Sequence, residues 1–382
     1  MSHWIFNDEH EMLRKAVRNF VKKEITPFVD QWEAAEEFPR ELFARMGELG
    51  YLGIKFPEAY GGGGADFIAD AVMLEEMAKC GSIGVAAGIF AQTAIALTPI
   101  WRFGTDEQKR RYLSPGIRGE KIAALGITEA DAGSDVASLR TTARREGDHY
   151  VLNGSKMFIT NGVRADYVVI AAKTDPAASH RGISLFIVET STPGYSVGKK
   201  LKKLGWRSSD TAELILDNVR VPARNLLGEE NKGFYAIMQN FQWERITLAI
   251  LSVGLADLAL EQATQYARER TQFGQSLLQF QVTRHKLVDM AVSIESARSL
   301  TYHALYLYAN GEDALTETTM AKALAGEMVN EVTDAALQIH GGNGYMMEYP
   351  VQRYWRDARL SAIGGGTTEV MNEILVKRIG LV

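Results

Sequence analysis

One cysteine, Cys80, is all that the 382 residues contain, which excludes an internal disulfide and any cysteine-built metal cage. The seven histidines include neither HExxH nor a pair at zinc-finger spacing. Zinc has no visible home, and no metal is expected. Excess positive charge is missing too: 42 Lys and Arg against 47 Asp and Glu leave a formal net charge of −5 and a pI near 5.9. A nucleic-acid partner is therefore not expected. The densest basic run, "KKLKK" at Lys199–Lys203, reads as a solvated turn, or else as a place for an anionic ligand. No G-x-G-x-x-G follows a strand-like segment and no Walker sequence occurs, so Rossmann-type nicotinamide binding and P-loop chemistry drop out. No apolar run reads as long enough to span a membrane. The amino terminus shows neither an apolar signal core nor an arginine-rich leader. The expectation is a soluble protein of a reducing compartment, cytoplasmic and bacterial in type, with a trimmed mitochondrial matrix protein as the alternative.

What is present suits a packed protein of two or three units: 46% of residues are hydrophobic and 23% charged. Residues 1–122 carry apolar positions at helical spacing in "DEHEMLRKAVRNFVKKEI" (capped by Asn7 or Asp8), "PRELFARMGELG", "DFIADAVMLEEMAKCG" and "GIFAQTAIALTPIWRFG". The glycine run Gly61–Gly64 reads as a flexible surface turn. Residues 123–228 change character: "HYVLNGSKMFIT", "DYVVIAAKT", "ISLFIVET" and "TAELILDNVRV" are β-branched, partly alternating and separated by turn residues. Residues 229–382 return to helix, with long segments at Phe234–Arg270, Phe280–Asn310 and Leu315–Ile339. Helices, a β unit and helices again predict an α+β, mostly α protein of three packed domains, not alternating βαβ units.

Within the first of those long segments Ile237, Phe241, Leu248, Leu251, Leu255 and Leu258 fall at steps of four and three, one continuous apolar stripe. Glu244 interrupts it. A glutamate there faces inward, where burial raises its pKa toward neutrality and lets it act as a general base. The alternative is a purely structural acid paired with a buried arginine such as Arg245. Three further stretches stand out: "ITEADAGSD" (127–135) with "MFITNG" (157–162), small and polar enough for a planar ring or a phosphate; "QIHGGNGY" (338–345), a helix end; and "IGGGTTEVM" (363–371), whose glycines allow close approach of backbone to a ligand.

In this order and spacing, "TEADAGSD", "NGSKMFITNG", "TAELILDNVRVP", "LLGEENKGFY", "ARERTQFGQSL", "QIHGGNGYMMEYPVQRYWRDAR" and "GGGTTEVM" resemble the acyl-CoA dehydrogenases along essentially the whole chain, and "FQWERITLA" is most like the long-chain enzymes. The resemblance implies an N-terminal helical domain, a middle β-barrel or sandwich, a C-terminal four-helix bundle, and FAD between them. It implies α,β-dehydrogenation of an acyl thioester, as in fatty-acid β-oxidation: a glutamate takes the α-proton and the β-hydrogen leaves as hydride to flavin N5. In most members that glutamate lies on the glycine loop, where this chain has Gly365. In a minority it lies on the helix, at the place matching Glu244, and Gly365 is then expected to leave room near the substrate's α-carbon.

Residue for residue, the resemblance puts Leu125, Ile127, Thr128, Gly133, Ser134, Phe158, Ile159 and Thr160 around the isoalloxazine. It puts Arg270, Phe273, Gln281, Gln338, Ile339, Gly341 and Gly342 on the rest of FAD, usually that of a neighbouring subunit, and Thr367 and Glu369 on the cofactor beyond the glycine loop. Ser134, Phe241, Arg245, Gly365 and Gly366 fall beside the substrate. A homotetramer and an electron-transfer flavoprotein as electron acceptor are implied as well. The chain departs from the family's usual Pro-Gly at Ala130-Asp131, where an Asp in the left-handed conformation would keep the loop's path. A branched or isoprenoid acyl-CoA, a carrier-protein thioester, a flavin oxidase or monooxygenase, and a non-catalytic flavoprotein assembly factor are the alternative readings.

Overall fold

The computed structural model describes residues 3–381. Helix α1 (Asp8–Phe20) opens on Asn7, whose side chain accepts from the His10 N–H while the His10 ring accepts from the Asn7 N–H. Two amides otherwise left over at a helix start are thereby satisfied. Helices α2 (Val29–Ala35), α3 (Glu41–Glu48), α4 (Phe67–Ala78), α5 (Ile83–Phe90), α6 (Leu97–Phe103), α7 (Asp106–Gln108) and α8 (Ser114–Ile117) follow, with a π turn at Ala91–Ala96 bending the rod from α5 into α6. Gly61–Gly64 is not the flexible turn expected. The amides of Gly62, Gly63 and Gly64 donate to Pro57, Gly53 and Phe56, and a Cβ on Gly62 would meet the Phe56 carbonyl oxygen at 2.0 Å. Only glycine lets the chain return this closely on itself.

The β unit holds β1 (Ala123–Gly126), β2 (Thr142–Glu146), β3 (His149–Thr160), β4 (Tyr167–Lys173), β5 (Ile183–Glu189), β6 (Tyr195–Lys200), β7 (Thr211–Pro222) and β8 (Leu226–Leu227), in the order β6-β7-β3-β2-β4-β5-β8 with β1 parallel to β4. Strand β2 pairs with β3 along its length but with β4 only at Thr142↔Lys173. The sheet folds over at that corner, so Leu152, Leu214 and Leu216 share one core with Val168, Ile170 and Phe186, as in a sandwich. The "KKLKK" run is likewise more than a solvated turn: Lys203 is drawn in to donate to the Ser209 carbonyl at 2.8 Å and its hydroxyl at 2.7 Å. The string "GYSVG" (194–198) has the form of a hydrolase nucleophile motif, yet Ser196 lies exposed on edge strand β6, away from the strand-to-helix turn such a nucleophile needs.

Helices α9 (Gly233–Glu269), α10 (Gln281–Ala309) and α11 (Leu315–His340) pack together, with α12 (Val351–Ala358) and α13 (Thr368–Arg378) against α11; a hairpin of β9 (Thr271–Gln272) and β10 (Gln275–Ser276) joins α9 to α10. The stretch Ile83–Phe103 and helix α9 are long and apolar enough to cross a membrane, contrary to the sequence expectation, but 94% and 72% of those windows are buried inside the protein. Core packing accounts for their composition. The helices before and after the β unit share one core that runs from Val17 and Met73 to Leu251, Ile294 and Val329.

A buried ion network spans that junction. Arg14 reaches Glu75 and Glu76 at 3.2 Å each, Lys79 and Arg298 also face Glu75, and the Tyr302 hydroxyl donates to it at 2.8 Å. Burial alone would raise the Glu75 pKa, but Lys79, Arg14, Tyr302 and Arg298 bring it down to about 2. Its contribution to stability is thus full above pH 4.5, the unfolded value, and fades as pH falls toward 2. Glu75→Ala leaves Arg14 with Glu76, and Lys79 and Arg298 with Asp257, but removes the acceptor of the buried Tyr302 hydroxyl, and a loss of roughly 1–3 kcal/mol is expected in urea unfolding at neutral pH. An unchanged midpoint would mean that the network is dispensable.

Candidate active site

Helix α9 carries the apolar stripe inward as expected: Ile237, Leu248, Leu251 and Leu255 are buried, while Phe241 and Leu258 are half-buried at its margins. Glu244 sits among them, 9% exposed. Among the described residues no donor reaches its carboxylate. Burial pushes its pKa up to about 7, against the opposing pull of Arg245 and then of Lys322. The expected alternative, an ion pair with Arg245, is not formed. Arg245 is buried but makes no salt bridge among the described residues; its Nε donates to the Gly365 carbonyl at 3.3 Å, and its guanidinium lies over the Phe241 ring.

The loop before α13 closes over this carboxylate. Gly365 and Gly366 have φ of +66° and +106°, backbone that favours glycine. A Cβ on Gly365 would lie 3.5 Å from Glu244 Oε1 and 2.3 Å from Leu248 Cδ1. Gly365 thus faces the acid directly, but it does not leave the open room expected, because Leu248 fills it. From α11 the Lys322 ammonium donates to the Gly366 carbonyl. Next along the chain the Thr367 hydroxyl caps α13 by accepting from the Val370 N–H, and Glu369 is exposed on its first turn.

A second group forms a platform on the β unit. A bulge between Lys156 and Ile159 turns Phe158 out of the sheet at φ +63°, leaving it 65% exposed. Beside it the Met157 N–H donates to the Thr128 carbonyl at 2.8 Å. Leu125, Thr128 and Thr160 are half-buried, Gly133 and Ser134 exposed. The Ile127 and Ile159 side chains point into apolar cores, so these residues can present a ligand with backbone only. Asp131 does not adopt the positive φ expected of it, and it pairs at the surface with Arg140 at 3.2 Å. Leu125 and Ile127 pack in one cluster with Ile237 and Phe241, which brings the platform against α9 one turn before Glu244.

The remaining expected residues lie elsewhere. Arg270, Phe273, Gln281, Gln338, Ile339, Gly341 and Gly342 gather where α9 ends, α10 begins and α11 ends, a corner held by Tyr266 stacked on His340 at 4.2 Å. All but half-buried Ile339 are exposed, Phe273 to 93%. Arg270 follows Glu244 by about 26 helical residues, roughly 39 Å along the axis.

Sequence models of the acyl-CoA dehydrogenase N-terminal, middle and C-terminal domains match residues 7–120, 124–219 and 231–380. The chain belongs to the acyl-CoA dehydrogenase family. It is 44% identical to an acyl-CoA dehydrogenase of Bacillus subtilis over 97% of each chain. It is 40% identical to the long-chain specific mitochondrial enzyme of Rattus norvegicus, over 98% of this chain and 87% of that one. The solved butyryl-CoA dehydrogenase from Megasphaera elsdenii superposes with a TM-score of 0.96 at 39% identity, covering 99% of this chain and all of that one. The family consists of FAD-dependent flavoproteins, and the protein is an oxidoreductase acting on CH–CH bonds.

The platform fits the family's cofactor. An exposed aromatic held out by a bulge, the Thr128 and Thr160 hydroxyls and open backbone at Gly133 suit a polar planar ring. Two further residues shape the acyl-CoA dehydrogenase site without having been anticipated from the sequence: Lys322 beside the glycine loop, and Lys156, paired with Glu129, beneath the platform. Lys156 is fully buried and donates to Glu129 at 2.7 Å and to the Ile127 carbonyl at 3.1 Å. Each lysine replaces an apolar residue in a buried pattern, the same signal that singled out Glu244.

Proposed function

We propose that the protein removes two hydrogens across the α,β bond of a medium- or long-chain acyl-CoA, giving the trans-2-enoyl-CoA, with Glu244 taking the α-proton. One observation carries the reading: a buried, unpaired carboxylate that titrates near neutrality faces a glycine turn. The Gly365 and Gly366 amides donate to no acceptor among the described residues. The Gly365 N–H is free to donate to the thioester carbonyl, and drawing charge onto that oxygen acidifies the α-carbon. Glu244, ionised above about pH 7, accepts the proton. Phe241 and Leu248, one turn to either side, keep water away from it, while Arg245 holds the Gly365 carbonyl and so fixes the turn. Bound FAD supplies the acceptor, at N5, for the β-hydrogen leaving as hydride.

The roughly 39 Å between Glu244 and Arg270 supports a cofactor shared between subunits. So does the exposed apolar surface of Phe273, Val282, Val288, Val292 and Tyr345 near that corner and along α10. A homotetramer that hands electrons to an electron-transfer flavoprotein, in the cytoplasm, completes the reading. Identity does not separate chain lengths, being 40% to the long-chain rat enzyme and 39% to the butyryl-CoA enzyme. Chain length is read instead from the helical position of Glu244, shared by resemblance with the long-chain enzymes. A panel from butyryl-CoA to palmitoyl-CoA, with isovaleryl-CoA, assayed with an artificial electron acceptor is expected to peak above butyryl-CoA. A sharp butyryl-CoA optimum would defeat the medium- or long-chain assignment, and an isovaleryl-CoA optimum would select the branched-chain alternative.

A further inference from the structure

Lys322 is 2% exposed, on an α11 face whose neighbours Thr318, Ala325 and Val329 are buried. Among the described residues it has no carboxylate within ion-pair distance; its ammonium rests on the Gly366 carbonyl. A buried cation without a partner is costly. Across the glycine turn sits a buried anion, Glu244, equally without a partner, and Arg245 grips the preceding carbonyl from α9.

We infer that Lys322 is a positioning residue of this site: anchored on the Gly366 carbonyl, it fixes the glycine turn against the Glu244 carboxylate and supplies the positive charge which that carboxylate meets from α11. The inference rests on the reading of Glu244 as base only where it calls the effect catalytic. The charged groups that face Glu244 are Arg245 from its own helix and Lys322 from α11; Lys322 faces Arg245, Glu244 and, from α13, Glu369. Burial and Arg245 push the Lys322 pKa down to about 8, against Glu244 and Glu369, so the ammonium keeps its charge at neutral pH. Losing that charge makes Glu244 harder to ionise, whereas a structural peg of the same length would leave its titration alone.

The test is the titration of Glu244 in FAD-loaded protein without substrate, followed by its protonated-carboxyl infrared band and assigned by the loss of that band in Glu244→Gln. In Lys322→Met, which keeps the stem and removes the charge, the midpoint is expected to rise by about one pH unit. Lys322→Arg should leave it near the wild-type value. The pH at which substrate reduces the flavin at half its maximal rate should move with the midpoint. An unmoved midpoint in Lys322→Met overturns the inference. The reciprocal measurement needs no Lys322 variant: coupling between two titrations is mutual, so Glu244→Gln must lower the Lys322 midpoint by the same amount, read by NMR of ε-carbon-labelled lysine. No shift there overturns it too. If Glu244→Gln is reduced by substrate at the wild-type rate, the base assignment falls, while the two titrations still decide on Lys322.

Discussion

Glu244→Gln is expected to purify yellow and FAD-loaded, and substrate is expected to bleach it more slowly by several powers of ten. The amide has the shape of the carboxyl and no charge to bury, so it fits a place where no donor holds the acid and Leu248 packs alongside. Folding should not suffer. What disappears is the buried carboxylate that faces Gly365: Glu369, beyond the turn, is exposed on the first turn of α13, and Gly365 stands where most of the family is expected to carry its base. In the wild type the reduction rate should rise with pH through about 7, as burial holds Glu244 protonated below that value. The same shift has the opposite sign for stability. A carboxyl lifted from 4.5 to about 7 favours the fold at low pH, and that margin, about 3 kcal/mol, is lost between those two values as the group ionises. The base is thus held at an energetic cost that an amide does not carry, and Glu244→Gln should unfold at a higher temperature than the wild type at pH 8. Bleaching of Glu244→Gln at the wild-type rate would show that another group takes the proton.

Much of this site was legible in the sequence because α9 is regular. A strict three-four stripe with one acid in it can hardly mean anything but an inward acid, and the family's motif order is what suggests a chemistry for it. The β unit was less legible. Strands β3, β4, β5 and β7 announce themselves by their β-branched runs, but β6, "YSVGKK", is exposed on both faces and has no pattern to read. Closure of the sheet depends on β2 meeting β4 at one residue pair, which no local signal encodes. Ile127 and Ile159 were grouped with their polar neighbours; Ile127 follows the end of β1, and Ile159 is turned inward by the bulge after Lys156, which breaks the alternation that would have told its face. Lys322 and Lys156 were passed over because a lysine on an apolar face usually carries its charge out to water along its stem. Only tertiary packing removes that exit. The charge of Lys156 is then met by Glu129, some 27 residues earlier in the chain, a pairing no periodicity reveals.

That pairing carries the second large effect. Glu129→Ala is expected to yield protein with little bound FAD and a clearly lowered Tm. The Glu129 carboxylate accepts from Lys156 at 2.7 Å, from the Arg140 and Thr141 amides at 2.6 and 2.9 Å, and from the Thr141 hydroxyl at 2.6 Å. Burial would raise its pKa, but Lys156 and these donors hold it below the usual carboxylate range, so it stays charged at neutral pH. Truncation strands the Lys156 ammonium, whose one remaining partner among the described residues is the Ile127 carbonyl, and orphans two amides. Breaking a buried pair from one side costs about 3–5 kcal/mol. The damage is local to the loop 127–141, whose two ends Glu129 ties together and whose Thr128 carbonyl meets β3 beside Phe158. A platform that no longer keeps its shape cannot hold a planar ring. Replacing both partners, Glu129→Leu with Lys156→Met, removes the stranded charge and should recover most of the Tm, because apolar pairs of similar volume replace buried ion pairs at little cost. FAD binding should recover less, since the orphaned Arg140 and Thr141 amides still leave the loop untied. A Glu129→Ala protein with wild-type Tm and full flavin absorbance would refute the pairing as the support of the platform. A double variant that regains Tm and FAD in equal measure would show that the ion pair contributes stability alone and leaves the shape of the loop to other contacts.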